Sequence, residues 1–212
     1  MTPQGPARFI TLEGGEGAGK STHARQLAQG LADHGIDNIV TREPGGSAGA
    51  EEIRKLLVEG EPGRWNPVVE TLLMFAARAD HVARAITPAL SAGKWVICDR
   101  FTDSTFAYQG AGRGADPEAI REIERVAIGG FRPDLTVILD VPVEEAMQRI
   151  GSRQHAEDRF ERFDRAFHER LRAHFQQLAQ NEPDRCVLIG SGAPPEQVSH
   201  QIWRAVAARF GL

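Results

Sequence analysis

The sequence has 212 residues, of which 41% are hydrophobic and 25% charged, and its formal net charge is −4 at pH 7. This balance is typical of one globular domain with an ample core, and the mild negative charge argues against a broad nucleic-acid-binding surface. No apolar run reaches the length of a membrane span or forms a signal peptide. We therefore expect one domain, residues 1–212, in the cytoplasm, with neither nucleic acid nor a membrane as its partner.

Five short apolar segments alternate with helical patterns along the chain. The predicted strands occupy residues 9–12, 38–41, 95–98, 135–139 and 185–189. The predicted helices occupy residues 20–35, 50–58, a stretch from 66, 81–92, 116–129, 142–147, a stretch from 160, and a last stretch that ends near 210. Strands that alternate with helices indicate a doubly wound α/β fold, so we expect a five-stranded parallel sheet flanked by helices.

Local signals place several helix boundaries. Asn66 before Pro67 is a strong helix start, and Pro88 is expected to bend the helix at 81–92. From Phe160 onward, apolar residues at helical spacing predict one long helix whose apolar stripe packs in the core or against a second subunit. The residues of this stripe are Phe163, Phe167, Leu171, Phe175 and Leu178.

The two cysteines, Cys98 and Cys186, lie in apolar, strand-like segments. Neither has the spacing of a metal ligand or a redox motif, so we interpret both as buried structural thiols. The seven histidines are scattered and form no H-E-x-x-H motif. These observations argue against a zinc enzyme.

Residues 14–21 read G-G-E-G-A-G-K-S and fit the phosphate-binding pattern G-x-x-x-x-G-K-[ST] between a strand and a helix. Glycine suits such a loop because several backbone N–H groups must converge on one polyphosphate. The following helix directs its free N–H groups at the same anion, Lys20 can neutralise the outer phosphates, and Ser21 can ligate Mg²⁺. The expected ATP-binding residues are Gly14, Gly15, Glu16, Gly17, Ala18, Gly19, Lys20, Ser21 and Thr22.

More polar residues follow the second and third predicted strands, where ligands bind in an open parallel sheet. Pro44 and its neighbouring glycines make residues 42–47 a loop. Asp99 ends the third strand, where a carboxylate of a P-loop protein contacts Mg²⁺ directly or through water. A helix-capping or turn aspartate is the alternative interpretation of Asp99.

The other motifs favour a small phosphotransferase. The chain has no guanine-reading N-K-x-D motif, no D-x-x-G follows the third strand, and the length does not suit a large ATPase motor. Residues 148–160 are polar and rich in arginine, which predicts a lid. Closing a lid excludes water, so that a phosphoryl group passes to an acceptor and is not hydrolysed.

Motifs between residues 13 and 114 closely resemble the bacterial thymidylate kinase family. They are E-G-G-E-G-A-G-K-S-T at 13–22, T-R-E-P-G-G at 41–46, F-A-A-R at 75–78, D-R-F at 99–101 and A-Y-Q-G-A-G-R-G at 107–114. The lid and the C-terminal third match the family in arrangement more than in letters. The resemblance implies a P-loop nucleotide kinase fold, ATP and dTMP as substrates, Mg²⁺, and a homodimer.

The resemblance also assigns roles at the nucleoside. Glu16 is similar to the carboxylate that accepts a hydrogen bond from the 3′-hydroxyl of dTMP. Phe75 resembles the aromatic residue that stacks on thymine. Arg78, three residues later, resembles the residue that donates a hydrogen bond to a thymine carbonyl. From the helix pattern alone, packing in the core is the alternative role of Phe75. Tyr108 resembles the ring that disfavours a 2′-hydroxyl.

Further dTMP contacts and the catalytic groups follow from the same resemblance. Arg100, and less directly Arg42, are similar to residues that hold the acceptor phosphate, while Ser104 and Gln109 resemble polar contacts to the base. Ordinary helix-surface polarity is the alternative for Ser104, Tyr108 and Gln109. The implied catalytic residues are Lys20, Arg100, Asp99 and a lid arginine.

The sequence departs from some family members at Gly17, where they carry an arginine that assists transfer. The resemblance is then to the branch whose lid supplies this charge, with Arg149, Arg153 and Arg159 as candidates. Inserted arginines accelerate phosphoryl transfer by on the order of 10³–10⁵ elsewhere. Solvated lid charges are the alternative for all three residues.

Two other functions remain open from the sequence. Thymine and uracil differ by one methyl group, so another pyrimidine nucleotide kinase is the nearest alternative. A nucleotide-binding module that does not turn over is the alternative of a different class. The P-loop, Asp99 with Arg100, and the arginine-rich lid together favour the enzyme.

Overall fold

The computed structural model describes residues 6–151 and 159–212, except the side chain of residue 159. These residues contain a five-stranded sheet whose strand order is β2-β3-β1-β4-β5, and every adjacent pair is parallel. The strands are β1 (Phe9–Glu13), β2 (Asn38–Arg42), β3 (Trp95–Asp99), β4 (Leu135–Asp140) and β5 (Cys186–Gly190). The predicted five-stranded parallel α/β fold is confirmed.

Helices join successive strands and cover the sheet. They are α1 (Lys20–Asp33), α2 (Ala48–Val58), α3 (Pro67–His81), α4 (Thr87–Ser91), α5 (Thr102–Thr105), α6 (Pro117–Ile128), α7 (Val143–Gly151), α8 (Arg165–Asn181) and α9 (Pro195–Phe210). Asn66 caps α3 as predicted, because its side chain accepts a hydrogen bond from Val69 N at 2.9 Å. No helix in residues 6–151 or 159–212 is long and apolar enough to cross a lipid bilayer.

Side chains that alternate along the strands pack into two hydrophobic layers, one on each face of the sheet. Ile10 and Leu12 of β1 pack in a layer with α1 and α9, while Ile138 of β4 packs with α8 on the opposite face. Thr11 and Glu13 alternate with these two residues along β1, and both are fully buried. Because successive side chains point to opposite faces, Glu13 lies on the face away from α1.

Three predicted helix boundaries differ from the structure. Helix α3 does not end before the next predicted helix but continues through a π-helical segment, Val82–Ile86, into α4, where Pro88 lies in the first turn. Helix α7 runs four residues further than predicted, to Gly151. Helix α8 begins at Arg165, since Asp164 caps it by accepting a hydrogen bond from Phe167 N at 2.8 Å.

The strand order creates a crevice at the carboxyl ends of β1 and β3. From β1 the chain passes over β3 to the edge strand β2 and returns to β3, and it then continues to β4 on the other side of β1. Leu12 is aligned with Asp99 in the register of β1 and β3. The P-loop and the residues after Asp99 therefore leave the sheet side by side, as ligand sites in doubly wound folds do.

Candidate active site

The P-loop is held close to the sheet and to α7, and only glycine fits at two of its positions. Gly14 and Gly17 have positive φ angles of 130° and 72°. A Cβ at Gly14 would lie 2.4 Å from Leu139 O, and one at Gly17 would lie 2.7 Å from Ala146 O. The glycines therefore let the loop adopt this conformation, which a side chain would prevent.

Lys20 begins α1 and folds back over the P-loop. Its Nζ donates to the carbonyl oxygens of Gly15 at 2.7 Å and of Gly14 at 3.2 Å, and the residue is only 6% exposed. Burial and the positive charge of Arg100 lower the pKa of Lys20. Gly19 caps α1 without a side-chain hydrogen bond, so the first N–H groups of the helix remain available to an anion.

Ser21 and Asp99 lie together at the floor of the crevice. The Ser21 hydroxyl donates a hydrogen bond to the Asp99 carboxylate. Hydroxyl and carboxylate oxygens are the hard ligands that Mg²⁺ prefers, and here they adjoin a loop that can hold phosphates. The residues present fit the expected magnesium site.

Arg100 is the only non-glycine residue with a positive φ in the described chain, at 71°. Its guanidinium donates to Glu16 Oε1 at 2.6 Å and to Gly14 O at 3.0 Å, and it stacks 4.7 Å from the centre of the Tyr108 ring. Burial opposes both charges of the Arg100–Glu16 pair. Their mutual attraction outweighs it, so the pKa of Arg100 is raised and that of Glu16 is lowered. Tyr108 also donates to Glu16, at 3.0 Å.

Glu13 secures the turn that contains Arg100. One carboxylate oxygen accepts hydrogen bonds from Phe101 N at 2.7 Å and Ser104 N at 3.3 Å, and the other accepts from the Ser104 hydroxyl at 2.6 Å. Ser104 in turn accepts from Arg100 at 3.2 Å. The Ser104 hydroxyl therefore links Glu13 to Arg100 and supports the position of the guanidinium.

Arg78 is fixed by hydrogen bonds to three other residues. Its Nε donates to Glu43 at 2.6 Å, and its terminal nitrogens donate to the Thr105 hydroxyl at 3.1 Å and to Phe101 O at 3.0 Å. His81 Nδ1 donates to the other oxygen of Glu43 at 2.9 Å. Within the described part of the chain, three of the five guanidinium N–H groups of Arg78 donate hydrogen bonds, and two remain for a ligand.

One cleft of about 190 Å³ joins these groups, and both Lys20 and Arg78 line it. Met74 also lines the cleft, whereas Phe75 does not. Phe75 is 1% exposed, and its ring lies 4.7 Å from the guanidinium carbon of Arg78. Successive residues of a helix point about 100° apart, and on α3 it is Met74 whose direction meets the cleft. The structure thus corrects the expected stacking position of Phe75.

Gln109 lies at the inner wall of the cleft and is held by a buried acid. Its Nε2 donates to Glu70 Oε1 at 2.8 Å, and Arg113 Nη1 forms an ion pair with the same oxygen at 2.7 Å. Glu70 is fully buried and Gln109 is 1% exposed. Within the described chain, no hydrogen-bond donor reaches Gln109 Oε1.

The outer rim of the cleft carries two further arginines. Arg42 pairs with Glu51 at 3.1 Å and its side chain is 53% exposed. Arg54, which the sequence prediction missed, donates to Pro44 O at 2.7 Å and lines the cleft. Both side chains line the cleft and are therefore placed to contact a ligand there.

Of the three lid arginines, the structure describes only the side chain of Arg149. It donates to Ser191 O at 2.9 Å and to Glu145 at 2.5 Å, and its Nη1 lies 3.5 Å from Gly17 O. Arg149 is therefore beside the P-loop. Arg153 and the side chain of Arg159 lie outside the described residues, as does most of the predicted lid at 148–160.

The residues expected to bind the nucleotide form the P-loop and the first turn of α1. Glu16, Gly17 and the segment 19–22 line the main cleft, while Gly14 and Gly15 line a smaller hollow on the other side of the loop. Ala18 is 1% exposed and packs in the core.

The sequence prediction gave no role to three buried acids, Glu13, Glu43 and Glu70. Glu13 was visible as an acid in an unusual place, because it ends the mostly apolar strand F-I-T-L-E. Glu70 precedes Met74 by four residues and Arg78 by eight, which puts all three on one face of α3. That spacing is the signal that could have identified Glu70.

Comparison with known proteins agrees with this geometry. The family model described as thymidylate kinase matches residues 12–202. Thymidylate kinases of Caulobacter vibrioides and Rhizorhabdus wittichii are 54% and 51% identical to this chain, over 96% and 95% of it and 98% of each relative. The crystal structure of thymidylate kinase from Ehrlichia chaffeensis is 33% identical and superposes with a TM-score of 0.76 over 95% of this chain and 99% of that one. The chain therefore belongs to the thymidylate kinase family.

Proposed function

We propose that this protein transfers the γ-phosphoryl group of ATP to dTMP, yielding ADP and dTDP. The observation that carries the proposal is that Lys20 and Arg100, beside the P-loop, line the same cleft as Arg78, whose guanidinium carbon lies 4.7 Å from the centre of the Phe75 ring. A donor phosphate at the P-loop and a base at Arg78 would place the acceptor phosphate between them. The names of the relatives support this choice of substrate.

The transfer relies on position and charge. A phosphate acceptor is already anionic at neutral pH, so an in-line transfer needs no strong general base. Lys20 and the helix N-terminus bind the donor phosphates, and Arg100, held by Glu16, neutralises the acceptor phosphate. Arg42 on the rim assists Arg100.

Ser21 and Asp99 are the residues that would hold Mg²⁺, directly or through water. When bound, this ion neutralises charge on the donor phosphates and orients them. The Ser21 hydroxyl donates to Asp99, so the two side chains that would hold the ion are neighbours.

The nucleoside would lie between Arg78 and Tyr108. Arg78 and Gln109 offer hydrogen bonds to the base, while Met74 and Phe160, which also line the cleft, provide its apolar walls. The Tyr108 ring, packed against Phe160 at 5.6 Å, limits the room beside the sugar. Glu16 accepts a hydrogen bond from the sugar 3′-hydroxyl in this arrangement.

We also propose that the chain acts as one kinase domain whose lid, residues 148–160, supplies an arginine to the transferred group. Arg149 adjoins Gly17, and this proximity supports it as one candidate, alongside Arg153 and Arg159. Replacing each with alanine and measuring kcat at saturating ATP and dTMP identifies the catalytic one. A loss of on the order of 10³-fold or more is expected for that residue alone.

A cytoplasmic homodimer is the form that we propose for the enzyme. Val68 and Leu72 lie one turn apart on α3 and are 57% and 50% exposed, and Val126 on the adjacent α6 is 77% exposed. These side chains supply an apolar surface for a second copy. Sedimentation equilibrium should give twice the chain mass of 23.2 kDa, and Leu72→Arg should reduce it to one chain.

A coupled ADP-release assay with a panel of nucleoside monophosphates tests the reaction. Preference for dTMP in the wild type, lost in Arg78→Ala and kept in the surface control Arg125→Ala, would support both the reaction and the base site. Equal use of purine or ribonucleotide acceptors would refute the thymidylate assignment. ATP binding without turnover of any acceptor would favour a nucleotide-binding module.

A further inference from the structure

We infer that Glu70 determines base specificity by fixing the side-chain amide of Gln109, so that the cleft offers a hydrogen-bond acceptor to the base. This orientation selects pyrimidines that carry a donor at N3 and a carbonyl at C4 and rejects those with an amino group at C4. The inference rests on the proposed function and names a residue that would not touch the substrate itself. Glu70 is thus a positioning residue.

The contact between the two residues is buried and short. Gln109 Nε2 donates to Glu70 Oε1 at 2.8 Å, with Glu70 fully buried on α3 and Gln109 1% exposed. Arg113 Nη1 lies 2.7 Å from the same oxygen. Glu70 Oε1 thus faces two donor groups, the amide of Gln109 and the guanidinium of Arg113.

The oxygen of Glu70 that faces both donors acts as a hydrogen-bond acceptor. The amide of Gln109 must therefore turn its NH₂ group toward Glu70, because the reverse orientation would place two acceptor oxygens against each other. Oε1 is left as the free end of the amide, and no donor in the described chain reaches it. A buried oxygen without a partner is costly, and a donor on a ligand in the adjoining cleft would remove that cost.

The acceptor of Gln109 complements the donors of Arg78. Both residues line the same cleft, and Arg78 has only donors to offer. Thymine presents an N3–H donor next to carbonyl acceptors, which matches this pair. A 4-amino pyrimidine presents an acceptor at N3 and a donor at C4, so that like groups would face each other at both contacts.

The test compares dTMP with 5-methyl-dCMP, two substrates that share the methyl group and differ at the N3 and C4 positions. The measured quantity is the ratio of their kcat/KM values. Glu70→Met keeps the length of the side chain but removes the strong acceptor, so the amide is free to turn. We expect the ratio to fall by about 5- to 100-fold, the effect of one buried hydrogen bond.

A double-mutant cycle separates positioning from packing. Gln109→Ala should lower the ratio as well, and Glu70→Met should cause no further fall in the Gln109→Ala background. Glu124→Met, which removes another buried glutamate outside the cleft lining, is the matched control and should leave the ratio unchanged.

Two results would overturn the inference. One is an unchanged ratio in Gln109→Ala, a variant that retains Glu70 and decides the matter even if Glu70→Met fails to fold. The other is a fall caused by Glu70→Met that is equally large without Gln109. Because the ratio is taken within one enzyme, failure of the inference would leave dTMP turnover by the wild type, and thus the proposed function, intact.

Discussion

Replacing Glu13 with glutamine should make the protein more stable than the wild type at high pH but not at low pH. Glu13 is fully buried behind the P-loop, and burial, with a smaller contribution from the charge of Asp103, raises its pKa from 4.5 to about 7. Glutamine has the same shape and no charge. Its carbonyl can still accept from Phe101 N, and its amide can donate to the Ser104 hydroxyl oxygen.

The direction and size of the effect follow from proton binding. Between pH 4.5 and about 7, folded Glu13 holds a proton that the unfolded chain has already released. Raising the pH through this window therefore favours the unfolded state, by about 1.4 kcal/mol per pH unit. Over the window the wild type should lose about 3 kcal/mol from this group, and Glu13→Gln should lose none of it.

Urea unfolding of both proteins at pH 4.5 and pH 8 measures this difference. All other titrating groups are common to the two proteins, so their contributions cancel. Glu122→Gln, on the exposed surface of α6, controls for the loss of one carboxylate. A stability difference between wild type and Glu13→Gln that does not change with pH would refute the reasoning.

Three further predictions follow from the site. Gly17→Ala should destabilise the protein by at least about 1–2 kcal/mol and weaken ATP binding, because Gly17 has a positive φ and no room for a Cβ. Gly15 has a negative φ and open space around it, so Gly15→Ala should change stability little. Urea unfolding and ATP titration check both variants. Glu43→Ala should raise KM for dTMP about tenfold without changing KM for ATP, because Arg78, the proposed donor to the base, loses its ion-pair partner. Burial raises the pKa of Cys98 well above its ordinary value and that of Cys186 to about 12, so neither thiol should react with a thiol reagent at pH 8 until the chain is unfolded in urea.

The fold was predictable because its signals are local. Strand-length apolar segments, glycine and proline at their ends, and the P-loop pattern are each contained within a few residues. The two π-helical segments, Val82–Ile86 and Phe106–Gly112, were not predicted, since nothing in their composition separates them from ordinary helix. Tertiary packing, which the sequence does not display, determines them.

The buried acids of the site were harder to predict, because their partners are distant along the chain. Glu13 and Phe101 are 88 residues apart, and Glu43 and Arg78 are 35 apart. The error at Phe75 has a different cause. The stacking role was assigned to Phe75 from the family motif, whereas Met74 lies on the face of α3 that meets the cleft. The phase of a helix, rather than the type of one residue, decides which side chain meets a ligand.

Three contacts between a glutamate and a group that lines the cleft have a common consequence for the chemistry. Arg100 is held by Glu16, Arg78 by Glu43, and the amide of Gln109 by Glu70. Each donor or acceptor therefore already has a fixed direction and is partly removed from water before a nucleotide arrives. Groups fixed in this way need little reorganisation when charge moves between phosphates, which is the main source of catalysis available to an enzyme whose acceptor is already a nucleophile. These glutamates are thus as much a part of the function of the cleft as the arginines that they hold.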